Sequence, residues 1–186
     1  MMSWGWDKIK TLEEAKRKIC TNCSTFTSDF PHLRPPPLEN KTSILDFGCG
    51  IGRNIPYLIN NSKAKVYGYD FPNMIALARE FLGPEVWNKV IWINPPIENL
   101  KGYRFDLILA TLVFQHIPLS ELRTILKVLS GVLLEGGELY VHSRGYTDEG
   151  HNVWKIIMWF FEPLWELDAN DMSERHQFCL FRAKKC

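Results

Sequence analysis

The chain has 186 residues, 46% of them hydrophobic and 23% charged, with a formal net charge of +1. That length favours one domain with a real core. The balanced charge gives no case for a nucleic-acid or membrane-surface binder. Two short basic clusters, Lys16-Arg17-Lys18 and Lys184-Lys185, read as solvated ends. The cysteine count, five, is odd, and Met1-Met2-Ser3-Trp4 lacks the basic start and apolar run of a signal peptide. Both favour a reduced, cytoplasmic setting over a disulfide framework. Cys20-Thr21-Asn22-Cys23 has metal-type spacing, with Cys179, Cys186 and His176 as partners in principle. Scattered free thiols are the preferred reading, and no metal is expected. No apolar run reaches the roughly 20 residues of a membrane span.

In chain order, Trp4 and Trp6 come first, beside a glycine. Residues 11–23 read as helix, with Thr11 as N-cap, Glu13 and Glu14 in the first turn and basic residues after them. Pro31-His32-Leu33-Arg34-Pro35-Pro36-Pro37 forbids helix and forms an extended connector. Residues 1–40 are therefore expected to be an extension or lid, and residues 41–186 the main domain. Ile44 to Phe47 is an apolar strand carrying Asp46, followed by glycines at 48, 50 and 52 and then a helix over 53–61. Lys65 to Asp70 is a short strand ending in an acid. Phe71-Pro72-Asn73 starts a helix through Phe81, stopped by Gly83-Pro84. Val90 to Ile93 is a third strand, closed by Asn94-Pro95-Pro96. Phe105 to Ala110 is a continuous apolar run, typical of a strand buried on both faces.

Leu119 to Leu134 has helical periodicity, with Leu122, Ile125, Leu126, Leu129 and Leu133 on one stripe. Gly136-Gly137 then turns the chain into a fifth strand, Glu138 to His142. Residues 152–162 read as an apolar helix. Short strands near Leu164–Leu167 and Gln177–Ala183 would complete the sheet. Strands alternating with helices predict a doubly wound, mainly parallel α/β sheet. Its ligand would bind at the carboxyl ends of the strands, at the switch point.

The glycine turn selects among ligands. A dinucleotide fingerprint starting at Gly48 and Gly50 needs glycine at position 53, which is arginine. The lysine of a phosphate-binding loop is also absent. What remains is Asp46-Phe47-Gly48-Cys49-Gly50-Ile51-Gly52, with Asp70 at the end of the next strand. An acid on the second strand suits the two hydroxyls of a ribose. An acid on the first strand suits a cationic amino group rather than a pyrophosphate.

The stretch from Ile44 to about Ser143 resembles the class I S-adenosylmethionine-dependent methyltransferases. The likeness rests on Leu45-Asp46-Phe47-Gly48-Cys49-Gly50-Ile51-Gly52, on Tyr67-Gly68-Tyr69-Asp70 and on Phe105-Asp106-Leu107-Ile108. Val113-Phe114-Gln115-His116-Ile117 and Leu134-Glu135-Gly136-Gly137-Glu138-Leu139 follow in the right order. The resemblance implies a Rossmann-like sheet of seven strands with the last antiparallel, matching Gln177–Ala183. It implies S-adenosyl-L-methionine as cofactor and S-adenosyl-L-homocysteine as product. It places Asp46 near the methionine amino group, and Gly48, Cys49 and Gly50 against the methionine moiety. It puts Asp70 on the ribose, Phe71 on the adenine face, and Ala110 and Thr111 at the methionine end. Ile97 falls at the adenine edge. The acid usual in that loop is replaced by proline, which leaves Asn94, Glu98 or Asn99 as substitutes, or the contact absent. Asn94-Pro95-Pro96 itself resembles the motif of enzymes that methylate amino groups of DNA bases or glutamine. It follows the third strand rather than the fourth, and reads as a rigid loop.

A sulfonium methyl is already activated, so the protein must hold an acceptor in line with it and exclude water. A hydroxyl or ammonium acceptor also needs a base. His116 is the first candidate, with a cap or packing role weighed equally, and His142 the second. Tyr146, Asp148, Glu149 and His151 would shape an acceptor pocket or be plain loop residues. Val153 to Trp165 is an aromatic segment that packs on the sheet by default, or forms an apolar pocket or dimer face. Trp4 and Trp6 are lid candidates. A chain without a recognition domain favours a small-molecule acceptor. Methylation of a protein or peptide is the alternative, as is a non-catalytic subunit that keeps the fold.

Overall fold

The computed structural model describes residues 5–19, 35–165 and 177–184. Trp4, Cys20, Cys23, residues 31–34, residues 166–167, His176, Lys185 and Cys186 lie outside the described residues. The strands are β1 (Ser43–Phe47), β2 (Lys65–Tyr69), β3 (Val90–Ile93), β4 (Phe105–Thr111), β5 (Leu133–Ser143), β6 (Phe161–Pro163) and β7 (Gln177–Ala183). The α-helices are α1 (Leu12–Ile19), α2 (Ile55–Asn61), α3 (Pro72–Trp87), α4 (Leu119–Val132) and α5 (Val153–Ile157). Among the described residues the strands form one seven-stranded sheet in the order β3-β2-β1-β4-β5-β7-β6. The first five strands are mutually parallel, and β7 is antiparallel to both β5 and β6.

The strand pattern explains the two layers. Along β4, Ile108 and Ala110 face one apolar cluster while Leu107 and Leu109 face another, and all four are fully buried. The first cluster is closed by the α4 stripe of Leu122, Ile125, Leu126, Leu129 and Val132, with Trp154, Ile156 and Ile157 from α5. The second is closed by Ile55 and Leu58 of α2. Helices thus cover both faces, the doubly wound arrangement expected of a parallel sheet. Because the chain steps outward through β2 and β3 and returns to β4, the switch point lies between β1 and β4.

Local chemistry sets several boundaries differently from the sequence reading. The helix after β2 does break at Gly83, whose φ of 70° and ψ of 169° are non-helical, but a last turn resumes through Trp87. Trp87 is needed there, since its ring stacks on Trp92 at 4.3 Å between centroids. The apolar segment expected as helix over 152–162 is helical only over Val153–Ile157. Its residues 161–163 form β6 instead, three positions before the strand expected at 164–167. Asn152 caps α5, its side-chain oxygen accepting from the Lys155 amide at 2.9 Å. Gly136, with φ of 75°, sits in a bulge where β5 re-registers from Leu133 opposite Phe105 to Glu138 opposite Leu107. The aromatic segment leaves Trp159 exposed beneath the Arg123 guanidinium, 4.3 Å from its ring centre. No helix among the described residues is long and apolar enough to cross a membrane.

The edge of β1 is tied to β4 through Asp106. Its Oδ2 accepts from the Thr42 amide at 2.8 Å, the Thr42 hydroxyl at 2.6 Å and the Ser43 amide at 2.9 Å. Desolvation pushes this carboxyl up, but the bonds from Thr42 and Ser43 more than offset it and leave it below its ordinary value. Asp106→Ala should cost roughly 1–3 kcal/mol in urea unfolding at pH 7. A carboxyl held low lends stability above its unfolded value of 3.8 and loses it as pH falls through its folded value. The gap between wild type and variant should therefore close in acid, and a gap constant from pH 7 to pH 3 would contradict the assignment.

Candidate cofactor and acceptor site

The turn after β1 folds by bonding its own amides. Gly48 N and Cys49 N donate to the Tyr69 carbonyl at 2.8 and 3.2 Å, and Gly52 N donates to the Cys49 carbonyl at 2.9 Å. Gly50 N donates to Asp70 Oδ2 at 2.7 Å. Gly48, Gly50 and Gly52 all have left-handed φ, at 67°, 58° and 78°. These amides are already bonded inside the protein, and two acids flank the turn. It is therefore no cradle for a pyrophosphate, which needs free N–H groups and a positive field.

The space at two of the glycines is taken by protein. A Cβ on Gly48 would lie 2.5 Å from Val113 Cγ2, and one on Gly52 would lie 2.8 Å from Leu82 Cδ1. Val113 reaches Gly48 because the chain turns sharply at Leu112, whose φ is 59°. That residue is pinned by its amide to the His142 carbonyl at 2.6 Å. A left-handed leucine is strained, and such residues persist where the surroundings over-determine them. At these two positions the missing Cβ makes room for side chains that arrive from other elements.

Asp46 is the unusual residue. It is fully buried on the α2 side of β1, and neither carboxylate oxygen has a hydrogen-bond partner among the described residues. Burial pushes it up to about 7, the Arg53 guanidinium pulls it down, and the Asp70 charge pushes it up again. Asp70 lies across the turn. Its Oδ2 takes the Gly50 amide and its Oδ1 takes the Phe71 amide, each at 2.7 Å. Desolvation outweighs these two bonds and raises it to about 6. Each oxygen keeps a lone pair for a further donor. Cys49 is buried, and burial with the nearby acids pushes its thiol well up, so it is inert as a nucleophile.

The remaining expected residues fall on both sides of this pair. Ala110 and Thr111 are buried at the end of β4, where the Thr111 hydroxyl accepts from Asn54 Nδ2 at 2.9 Å. Phe71 is the N-cap residue of α3 and packs against the buried cluster of Ile9, Leu12, Ala15, Ile51, Met74 and Leu77. Ile97 is buried at the start of a 3₁₀ turn, Ile97–Gly102. Asn94 is exposed, its carbonyl accepting from Asn99 Nδ2 at 2.9 Å. His142 is buried at the end of β5 opposite Phe178 of β7.

His116 lies in a short 3₁₀ turn after β4. Its Nδ1 is 2.8 Å from Asp148 Oδ2 and its Nε2 is 3.1 Å from Gln115 Nε2. Burial lowers its basicity more than Asp148 raises it, and the Arg144 and Lys18 charges lower it further. Tyr146 is exposed, and Glu149 accepts from the Leu119 amide at 3.1 Å with His151 3.8 Å away.

Three further residues contribute that the sequence does not single out. Arg53 and Asn54 are buried directly after the turn, although their position next to Gly52 was a usable signal. Asn73, in the first turn of α3, donates to the Trp6 and Ile9 carbonyls at 2.8 and 2.9 Å and so holds the N-terminal segment on α3. Nothing local in the sequence announces that contact. No metal-binding cluster occurs among the described residues.

Comparison with known proteins agrees with this geometry. Residues 44–137 match the family model described as a methyltransferase domain, a span of just over half the chain. The chain therefore belongs to the methyltransferase domain family, in its class I, Rossmann-like form. No curated protein matches it in sequence. Among solved structures, a protein from Pyrococcus horikoshii is 17% identical with a TM-score of 0.68, over 92% of this chain and 99% of that one. The N-methyltransferase NodS from Bradyrhizobium japonicum, solved with S-adenosyl-L-homocysteine, is 18% identical with a TM-score of 0.63, over 95% and 100%. An O-methyltransferase family protein from Burkholderia thailandensis is 11% identical with a TM-score of 0.63, over 78% of this chain but 52% of that one.

The Gly48–Val113 contact is testable by a double-mutant cycle. Gly48→Ala should cost roughly 2–4 kcal/mol in urea unfolding, from overpacking plus left-handed strain. Adding Val113→Ala should relieve the packing part, so the double variant is at least as stable as Gly48→Ala alone. Strictly additive losses would contradict the contact. Asp46 makes a second test. A carboxyl raised from 3.8 to about 7 lends stability in acid and loses it as pH rises through 7. The melting-temperature difference between Asp46→Asn and wild type should therefore move in favour of the variant from pH 4 to pH 8. A flat difference would show that Asp46 is not desolvated.

Proposed function

We propose that the chain transfers the methyl group of S-adenosylmethionine to a small-molecule acceptor. The observation that carries this reading is the buried, unpartnered carboxylate of Asp46 beside a turn whose amides are already bonded. A buried carboxylate without a donor is costly unless a cation or hydrogen-bond donor reaches it. An α-ammonium group fits, and a phosphate would be repelled. Asp70, with a free lone pair on each oxygen, suits the two ribose hydroxyls. Phe71 then lies at the adenine, Ile97 and Asn94 border its edge, and Gly48, Cys49, Gly50, Ala110 and Thr111 surround the methionine end.

When bound, the cofactor supplies a methyl group already activated by its sulfonium. The protein's part is to orient the acceptor and keep water out. In this reading Trp6, whose carbonyl Asn73 holds, excludes water, and residues 5–19 act as the lid on the domain that follows; the packing of this segment on Ile51 and Met74 supports it. His116 receives a proton at Nε2 only if the Gln115 amide moves away. We therefore assign the rate enhancement to approximation and desolvation, with His142 as the neighbouring base at the end of β5. Lid and small domain together favour a small acceptor over a protein. Buried free thiols at Cys49 and Cys179 support a reduced, cytoplasmic setting.

Titration calorimetry with S-adenosylhomocysteine tests the reading. Wild type should bind it, and Asp70→Asn should weaken binding by roughly 1.5–3 kcal/mol through loss of charge-assisted bonds. No heat at high micromolar ligand would sink the enzyme reading. Equal affinity in the variant would remove Asp70 from the ribose.

A further inference from the structure

The segment after β4 and the loop after β5 are joined by a chain of hydrogen bonds whose direction can be worked out. The Arg144 amide is a backbone N–H and must donate, so the Gln115 atom 2.8 Å away is its carbonyl oxygen. The Ser143 hydroxyl points at the same oxygen from 3.3 Å. The other end of the buried Gln115 side chain is therefore its NH₂, which only donates. It faces His116 Nε2 at 3.1 Å, so Nε2 carries a lone pair and no proton. The ring proton then sits on Nδ1 and points at Asp148 Oδ2, 2.8 Å away. Asp148 is itself held, by Arg144 Nη2 at 3.3 Å and by its own amide on the Gln115 carbonyl at 2.8 Å.

Against this ring lies Trp6, at 5.6 Å between centroids and a tilt of 57°. Lys18, from α1, stands over the indole at 4.3 Å. We propose that Gln115 and Asp148 are positioning residues that act through His116, locking it as the Nδ1–H tautomer and making its ring the seat on which Trp6 closes the cleft. The geometry spans three separate pieces of chain: the N-terminal segment, the turn after β4 and the loop after β5. A proton added at Nε2 would set two donors against each other across 3.1 Å and open the seat. The groups that face His116 are Asp148, which favours that proton, and Gln115, Arg144 and Lys18, which oppose it. That the cleft is a cofactor cleft rests on the methyltransferase reading above. The tautomer does not.

Heteronuclear NMR of the histidine ring nitrogens in the full chain tests the lock, with His116→Asn to assign the signals. Wild type at pH 7.5 should show a proton on Nδ1 and none on Nε2. Gln115→Glu keeps the acceptor for Arg144 but puts a carboxylate oxygen opposite Nε2. It should raise the His116 midpoint by about one pH unit or more and quench the Trp6 emission, taken as the difference from Trp6→Phe. Asp148→Ala should release the tautomer and weaken S-adenosylhomocysteine about fivefold, as a less well ordered seat for Trp6 would. Asp148→Asn, which still offers an oxygen to Nδ1–H, should restore both. An Nε2 proton in wild type, an unmoved midpoint in Gln115→Glu, or no rescue by Asp148→Asn would overturn the proposal. Wild type that shows the tautomer but binds no S-adenosylhomocysteine would defeat the methyltransferase reading and leave the lock standing.

Discussion

A carboxylate buried without a partner is the constraint around which this fold is arranged. Asp46 sits near the end of β1, at the switch point, with no donor on either oxygen among the described residues. Burying a charge this way opposes folding, and the carboxyl responds by titrating near neutrality. Its neighbours do not cancel the charge. Arg53 moderates it, and Asp70 adds to it. The protein therefore carries a local instability of the kind a cationic ligand would relieve. That is the usual signature of a binding site, where local cost is accepted for the sake of function.

The surrounding structure holds that carboxylate in place. The turn bonds its amides to Tyr69 and Asp70 rather than leaving them for a ligand. The left-handed turn at Leu112 drives Val113 into the space that Gly48 leaves, and so couples the ends of β1 and β4. Leu112 is in turn pinned to β5 through the His142 carbonyl. The three strand ends around the switch point are thus interlocked by packing and one backbone bond, which is why small residues are needed there. The N-terminal segment packs on Ile51 and α3 through Ile9, Leu12 and Ala15, and the loop after β5 bonds to Gln115 and His116 of the turn after β4.

Much of this was legible in the sequence, for physical reasons. The glycine spacing and the two acids define the turn, because left-handed backbone at 48, 50 and 52 favours glycine and the Asp70 carboxylate takes the Gly50 amide. The continuous apolar run of β4 announces a strand buried on both faces, and the Leu122-to-Leu129 stripe announces α4. What stayed hidden depends on contacts far apart in the chain. The role of glycine at 48 and 52 could not be read, since Val113 and Leu82 arrive from other elements. The segment 152–162 has the composition of a helix, yet β7 pairs with its end and pulls Phe161–Pro163 into the sheet. His116, by its position after β4, is compatible with a base or with a packing role. Its engagement by Gln115 and Asp148 appears only when the loop after β5 is in place.

The central claim is that a cation answers the Asp46 charge, and proton linkage measures it directly. A carboxyl near 7 is about half protonated at pH 7. An ammonium placed beside it must lower that value and expel the proton. Calorimetry of S-adenosylhomocysteine binding in buffers of different ionisation enthalpy should therefore show release of roughly half a proton at pH 7, and Asp46→Asn should abolish that release. Binding with no proton exchange in wild type, or the same exchange in Asp46→Asn, would contradict the account.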